Sequence, residues 1–496
     1  MSRPVFTEPA GRAVQEINPV KRTSVAFRLL TCLYNFVFPI ALAATSPMYL
    51  RRMIRRGNWR DRFGERFGCY QADVLERLRA LPSENRIWVH AVSVGELLIA
   101  LKLIAALREL DPKIPIVVTT ITNTARPLAE QRLPRDIVLL YAPIDMPRVV
   151  RRAFAAIRPA RIALIEGEVW PNWLAAARRC DVPVHLVNAR LSRRSEPRFK
   201  FFRVFFGPLF AQLSTVSVPE ERDIDRWQSL GVSSEQLHCL GSIKFEQPAR
   251  TSDLDRVAHF QTLLSAAFSS ATASIDSRKE PVVRAKSTEW GGIGHRFILA
   301  ASTHPDEERM FAQIVIELRA RFPALRLLVA PRHVERSETV AGELETLGLR
   351  VVRRTSLSPD FSSPRAVDAV LIDTTGELRD WYPLAEVVFV GASLARSTTT
   401  GHNPAEPLAA GVPTICGPGT DDFADLVSAL KSAGGIVAVR SADELGERIA
   451  HLLNHPEEGR AIVAQAALVL ARHRGSAARN AVLLFGTTHG KLQSEE

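Results

Sequence analysis

Short runs of apolar residues, four to six long by the spacing rules for strands, alternate with helix-spaced stretches in two separate series along the chain. In the first series, residues 87–90, 115–120, 137–141, 161–166, 183–188 and 214–218 read as strands, with helices such as 97–110 and 146–157 between them. In the second, residues 297–300, 325–330, 369–372, 387–390 and 413–416 read the same way, and helices over 441–453 and 458–484 finish the chain. Strands that are apolar throughout belong to sheets buried on both faces, and intervening helices imply right-handed βαβ crossovers in parallel sheets. The pattern predicts an α/β protein of two Rossmann-like domains facing a cleft.

Between residues 247 and 295 the periodicity dissolves into Ser, Ala and Thr, then a charged run and Gly291-Gly292-Ile293-Gly294. This predicts a linker with a poorly ordered insertion. Residues 1–18 carry no apolar periodicity and read as a flexible leader, whereas residues 29–50 are uncharged and almost wholly apolar. That length suffices to cross a bilayer; Pro39 and Pro47 leave room for a shallow interfacial helix instead. Arg51, Arg52, Arg55, Arg56, Arg60 and Arg62 follow at once, which places the flank and the body after it on the cytoplasmic side. The expected organisation is a leader (1–28), an anchor with its basic flank (29–62), an N-terminal domain (63–246), the linker (247–295) and a C-terminal domain (296–496) whose last helix returns to the first.

Composition narrows the class. With 46% hydrophobic and 24% charged residues the chain is an ordinary globular protein, and its net charge of +11 suits anionic partners. Cys32, Cys69, Cys180, Cys239 and Cys416 are scattered, with no Cys-x-x-Cys, which argues against a disulfide framework or a structural zinc site.

Candidate chemistry lies where strands end, because ligands of open α/β sheets bind beyond the carboxyl ends of the strands. After the first strand comes Ser93-Val94-Gly95-Glu96, with a carboxylate in the first turn of a helix, where the dipole favours its ionised form. Taken alone, such a glutamate more often only complements the helix dipole. Glu166 and Glu168 sit at another strand end beside Trp170, and Lys244 lies at the domain junction. In the second domain, Pro331-Arg332-His333 offers an arginine fork to a phosphate, while Thr375-Gly376-Glu377 and Asn403-Pro404-Ala405-Glu406 precede helices that suit phosphate or sugar hydroxyls. Phe199 to Phe206 interleaves aromatics with cations, a composition suited to the headgroup layer of a membrane, to stacking on nucleic acid or to a buried helix, with the apolar segment upstream favouring the membrane.

Taken together, His90-Ala91-Val92-Ser93-Val94-Gly95-Glu96, Glu166-Gly167-Glu168-Val169-Trp170-Pro171-Asn172, Asn188-Ala189-Arg190-Leu191-Ser192, Gly241-Ser242-Ile243-Lys244-Phe245, Ser302-Thr303-His304, Pro331-Arg332-His333, Gly376-Glu377 and Gly401-His402-Asn403-Pro404-Ala405-Glu406 resemble, in order, the 3-deoxy-D-manno-octulosonic acid (Kdo) transferases of lipopolysaccharide synthesis. The resemblance implies a GT-B glycosyltransferase anchored at the cytoplasmic face of the inner membrane. It implies transfer of Kdo from CMP-Kdo to a lipid A precursor of the lipid IVA type, with inversion, no metal and no cofactor, and with membrane lipid rather than nucleic acid as the other partner. Carried over, Glu96 is the general base, and Glu166 and Lys244 stabilise the transition state. Pro331, Arg332, Thr375, Gly376, Glu377, Asn403, Pro404, Ala405 and Glu406 match the CMP-binding segments. Thr375 stands where that family has a methionine-type residue, Ala392 where a glycine is common, and Ala405 where a larger apolar residue is usual. The rival readings are a GT-B protein handling a UDP-sugar, whether transferase or epimerase, and a non-catalytic protein that binds membrane or nucleic acid through its net charge.

Overall fold

The computed structural model describes residues 25–55, 62–191, 196–246, 252–268, 295–363, 366–395 and 400–492. The expected leader (1–18), arginines 56 and 60, and most of the expected insertion lie outside these residues. The chain divides into two compact units, Met1–Glu246 with Gly475–Glu496, and Gln247–Arg474.

Among the described residues each unit is built on one seven-stranded sheet. The first holds β1 (Ile87–His90), β2 (Ile116–Thr120), β3 (Val138–Tyr141), β4 (Arg161–Ile165), β5 (Val184–Val187), β6 (Thr215–Val218) and β7 (Leu237–Cys239), in the order β3-β2-β1-β4-β5-β6-β7. The second holds β8 (Arg296–Thr303), β9 (Leu325–Pro331), β10 (Val351–Arg353), β11 (Ala369–Leu371), β12 (Val387–Val390), β13 (Thr414–Cys416) and β14 (Val437–Ala438), in the order β10-β11-β9-β8-β12-β13-β14. Every pairing is parallel. Both units are therefore Rossmann-like, and two such units in one chain are the GT-B type of architecture, here with an N-terminal apolar helix, Val25–Arg55. In each sheet the strand order reverses beside the first strand, between β1 and β4 and between β8 and β12, and that reversal opens a crevice at the carboxyl ends.

The apolar runs expected as central strands are buried along their whole lengths. β7, β10 and β14 escaped the pattern. They are edge strands of two or three residues, only partly buried, and present no continuous apolar run to read.

Two expected elements differ. Residues 254–268, which the composition placed in a linker, form the helix Leu254–Phe268. Its stripe Val257, Phe260, Leu263, Leu264, Ala267 is buried in the second unit, with the Phe260 ring stacked on Trp381 at 4.4 Å. Helical spacing was present there; the surrounding Ser and Ala obscured it. The single helix expected over 458–484 is two, Pro456–Ala471 and Ser476–Leu492, broken where Gly475 takes φ +72. A left-handed residue ends a helix, and glycine adopts it at little cost.

The break lets the last helix join the first unit. Ala477, Ala481 and Leu484 are buried with Leu97, Ala100, Leu103 and Ile104 of the helix Val94–Leu110. Its start is capped by the Glu246 carboxylate, which accepts the Ala477 N–H at 2.7 Å, and the Leu484 carbonyl accepts from Arg161 at 2.8 Å. Leu484 is 1% exposed, so Leu484→Ala is expected to leave a cavity and cost about 2–5 kcal/mol. Chemical denaturation followed by tryptophan fluorescence measures it; a change under half a kcal/mol, on the scale of a surface substitution, would show that this helix does not back the first unit.

Candidate active site

At the β1–β4 reversal the chain leaves β1 through Ala91-Val92 and enters the helix Val94–Leu110. Ser93 is its N-cap: the hydroxyl accepts the Glu96 N–H at 3.3 Å and donates back to the Glu96 carboxylate at 3.1 Å. Glu96 also accepts the Val92 N–H at 2.7 Å, while the Val92 carbonyl is held by the hydroxyls of Thr120 and Thr122 at 3.2 and 3.0 Å. The arrangement resembles a capping box, with the carboxylate reaching the Val92 N–H one residue before the cap. The carboxylate does more than cap. Partial burial raises its pKa to about 7, against the pull of the Val92 and Ser93 hydrogen bonds, and the charges of Glu166 and Glu168 push in the same direction as burial. Three carboxylates share this end of the sheet, and one is poised near neutrality.

Glu166 and Glu168 follow β4 on a turn that requires left-handed backbone at both, φ 60 and φ 57. Strain of this kind persists only where surrounding bonds over-determine it. Here the Glu166 N–H is taken by the Val187 carbonyl at 2.9 Å, its carbonyl by the Arg190 N–H at 2.9 Å, and the Gly167 N–H turns back to Ile165 at 2.7 Å. Burial raises Glu168, and a hydrogen bond from Trp170 opposes that rise.

Lys244 is half-buried on the loop after β7, whose backbone is held by two side chains. Asn188 accepts the Ile243 N–H at 2.9 Å while its amide lies 3.4 Å from the Glu166 carboxylate, so one side chain joins the two loops. Lys102, on the Glu96 helix, donates to the carbonyls of Ile243 and Glu246 at 3.0 and 2.7 Å. Glu246 in turn caps the last helix. Sequence reasoning assigned no role to Asn188 or Lys102. A lysine within Leu101-Lys102-Leu103, on a buried helix, was the available signal.

In the second unit the expected segments sit at the carboxyl ends of β8, β9, β11 and beyond β12. Pro331 ends β9, and the Arg332 N–H bonds the Thr303 carbonyl at 3.0 Å. The rings of His304 and His402 meet at Nε2–Nε2 3.1 Å. Burial first, then Arg332 and the neighbouring histidines, lower His402 to about 4, so it is neutral at pH 7 beside a permanent cation. Asn403 accepts the Ala405 N–H at 3.1 Å and donates to Glu406 at 3.2 Å, which fixes Pro404 and the fully buried Ala405 at the start of the helix Ala405–Ala409. Gly376 carries φ +83 between Thr375 and Glu377. The Glu377 carboxylate is occupied inside the protein, by Thr374 at 2.7 Å and Arg354 at 3.1 Å.

The residue that sequence reasoning missed most plainly is Glu307. It is 1% exposed and accepts N–H groups from His304, Ala392, Ser393, Leu394 and Ala395 at 2.7–3.1 Å. These bonds hold Ala392 at φ 57, where a side chain costs roughly 1–2 kcal/mol; the glycine of the resembled family suits that backbone better. The paired Glu307-Glu308 just after a strand was the signal. Among the described residues no group of three or more His, Cys, Asp or Glu is arranged to hold a metal ion.

A family model described as 3-Deoxy-D-manno-octulosonic-acid transferase (kdotransferase) matches residues 61–247. The 3-deoxy-D-manno-octulosonic acid transferase of Bordetella pertussis is 31% identical over 457 residues, covering 89% of this chain and 97% of the relative. That of Haemophilus influenzae is 28% identical over 453 residues, covering 90% and 97%. A crystal structure of UDP-GlcNAc 2-epimerase from Neisseria meningitidis superposes with TM-score 0.50 at 13% identity, covering 81% of this chain and 99% of that one, a likeness of fold alone.

Two outcomes are expected. The Glu96 carboxyl ionises near 4.5 when free and near 7 when folded, so between those values the folded state binds more protons and stability falls as pH rises. Thermal melts of wild type against Glu96→Gln should therefore shift in favour of Gln between pH 5 and pH 8; a pH-independent difference contradicts the shifted carboxyl. Gly95 has open space on its Cβ side, with only Ser93 Oγ at 3.9 Å. Gly95→Ala should fold at least as stably, since alanine favours the helix by about 1 kcal/mol, yet lose activity if substrate approaches that backbone; full activity would show that nothing does.

Proposed function

The chain belongs to the 3-deoxy-D-manno-octulosonic acid transferases, glycosyltransferases of lipopolysaccharide synthesis, and from that premise we propose that it moves Kdo from CMP-Kdo to a lipid A precursor of the lipid IVA type, with inversion and with Glu96 as general base. The acceptor hydroxyl oxygen attacks the anomeric carbon as its proton passes to Glu96. The bond from that carbon to the phosphate oxygen breaks, and CMP leaves with the electron pair. A base must be ionised to act yet basic enough to take a proton, and a carboxyl held near 7 meets both demands at cytoplasmic pH. The observation that carries the reading is the placement of this carboxylate, held by Val92 and Ser93 at the carboxyl end of β1 where the strand order reverses.

Glu166 and Lys244 serve the transition state from loops that Asn188 ties together. CMP is held by the second unit, its phosphate by Arg332 and the nucleotide by the segments Pro331–Arg332, Thr375–Glu377 and Asn403–Glu406. Because Glu377 is engaged by Arg354, its contribution in this reading is to shape the loop, leaving backbone N–H groups for the ligand. No metal or cofactor enters the scheme.

The enzyme works at the cytoplasmic face of the inner membrane. Supporting this, the helix Val25–Arg55 exposes Val25, Leu29, Leu33, Phe36, Val37 and Ile40. The helices Glu196–Phe201 and Arg203–Phe210 expose Phe201, Phe202, Val204 and Phe205 beside Lys200 and Arg203. Phe199 and Phe206 turn inward onto Phe210, so this segment is amphipathic rather than a buried helix. Rings in the acyl boundary and cations on phosphates suit a phosphorylated glycolipid, not nucleic acid.

Full-length protein in detergent with CMP-Kdo and tetraacylated lipid A precursor is expected to give a product heavier by Kdo, in the presence of EDTA as in its absence. The kcat/KM should rise with pH through about 7 as Glu96 ionises. Glu96→Gln should lower kcat by at least a hundredfold, within the usual range for general acid–base catalysis, while CMP binding persists; retained turnover refutes the assigned base.

A further inference from the structure

An anchor that served only to hold the enzyme on lipid would need nothing but apolar residues, and a polar amide in such a helix is costly unless it is bonded. The helix Val25–Arg55 contains Asn35, and its partner belongs to the body of the first unit: Asn35 Oδ1 accepts from Asn172 Nδ2 at 2.7 Å. The contact is one point of a regular stripe. Phe27, Leu30, Tyr34, Asn35 and Phe38 recur at helical spacing and turn inward, while Leu29, Leu33, Phe36 and Val37 on the other side are exposed.

What the stripe touches is the end of the Glu166–Asn172 segment. Asn172, 2% exposed, opens the helix Pro171–Arg179 and donates its backbone N–H to the Asp145 carboxylate at 3.1 Å and its amide to the Asp145 carbonyl at 2.8 Å. The Trp173 N–H takes the other Asp145 oxygen at 3.1 Å, and the Tyr34 hydroxyl is buried beside the same carboxylate without a well-directed hydrogen bond. Phe38, stacked on Tyr34, meets the Trp170 ring edge-on at 6.3 Å. Trp170 lies near enough to Glu168 to lower its pKa against burial, and the Glu168 charge in turn raises Glu96. Contacts thus run from the N-terminal apolar helix to Trp170 and Asn172, the two ends of the segment that follows Glu168, and charge carries the link from there to Glu96.

We propose that the N-terminal apolar helix is a positioning element of the transfer site: through Asn35 and Phe38 it sets the loop that carries Glu166 and Glu168, so that seating on the membrane and assembly of the site are one event. The inference rests on the reading of Glu96 and Glu166 given above. Neither Asn35 nor Phe38 touches substrate in this proposal; they act through Asn172 and Trp170.

The test uses full-length Asn35→Leu and Phe38→Leu in vesicles of phosphatidylethanolamine and phosphatidylglycerol. Both variants keep the helix apolar, so flotation with the vesicles should match wild type, as should the melting temperature. The expected result is a fall in kcat of about tenfold or more with the KM for CMP-Kdo unchanged, a loss on the order of 1.4 kcal/mol in the barrier. Phe38→Trp, which keeps an aromatic edge for Trp170, should restore kcat. Wild-type kcat in both leucine variants overturns the proposal, and so does a loss that only parallels lost flotation or lost thermal stability. If wild type itself transfers no Kdo, the functional reading fails instead; if Glu96→Gln is inactive while the helix variants are normal, only the coupling fails.

Discussion

A carboxylate taken out of water has to find donors, and in this protein the donors it finds are main-chain N–H groups at the ends of parallel strands. Glu307 gathers five of them from two loops on either side of the β8–β12 reversal. Asp145 does the same for the start of the Pro171–Arg179 helix. Parallel sheets bring every strand to the same edge, and the loops there would be independent of one another without such cross-ties. The buried acids turn a row of separate loops into a fixed surface on which reactive groups keep their spacing.

The first unit carries this logic to its reactive end. Glu96 is held by the cap it completes, so its position is set by helix formation itself. Its proton affinity is set by burial and by two glutamates on the next loop, each on left-handed backbone. The shifted proton affinity of this capping glutamate comes from its neighbours, not its identity.

That distinction explains what the sequence disclosed. Central strands, both Rossmann-like units and the strand-end position of Glu96, Glu166 and Arg332 follow from apolar runs and their order, since burial on both faces leaves a local signature. Edge strands such as β14 do not, because only tertiary pairing makes them strands. The helix Leu254–Phe268 was hidden by small polar neighbours, and the break at Gly475 by a helical period that continues on both sides of it. Asn188, Lys102 and Glu307 act through partners 22 to 144 positions away, and no local window contains such pairs.

The closing helix has a consequence for synthesis. The residues that back the Glu96 helix, Ala477, Ala481 and Leu484, are the last of the described core to leave the ribosome, after the whole second unit has been made. Until they arrive, Leu97 and Leu103 lack partners that help bury them in the folded protein. In the proposed reading, the glutamate that takes the acceptor's proton therefore gains its full backing only once residues 477–484 have been made.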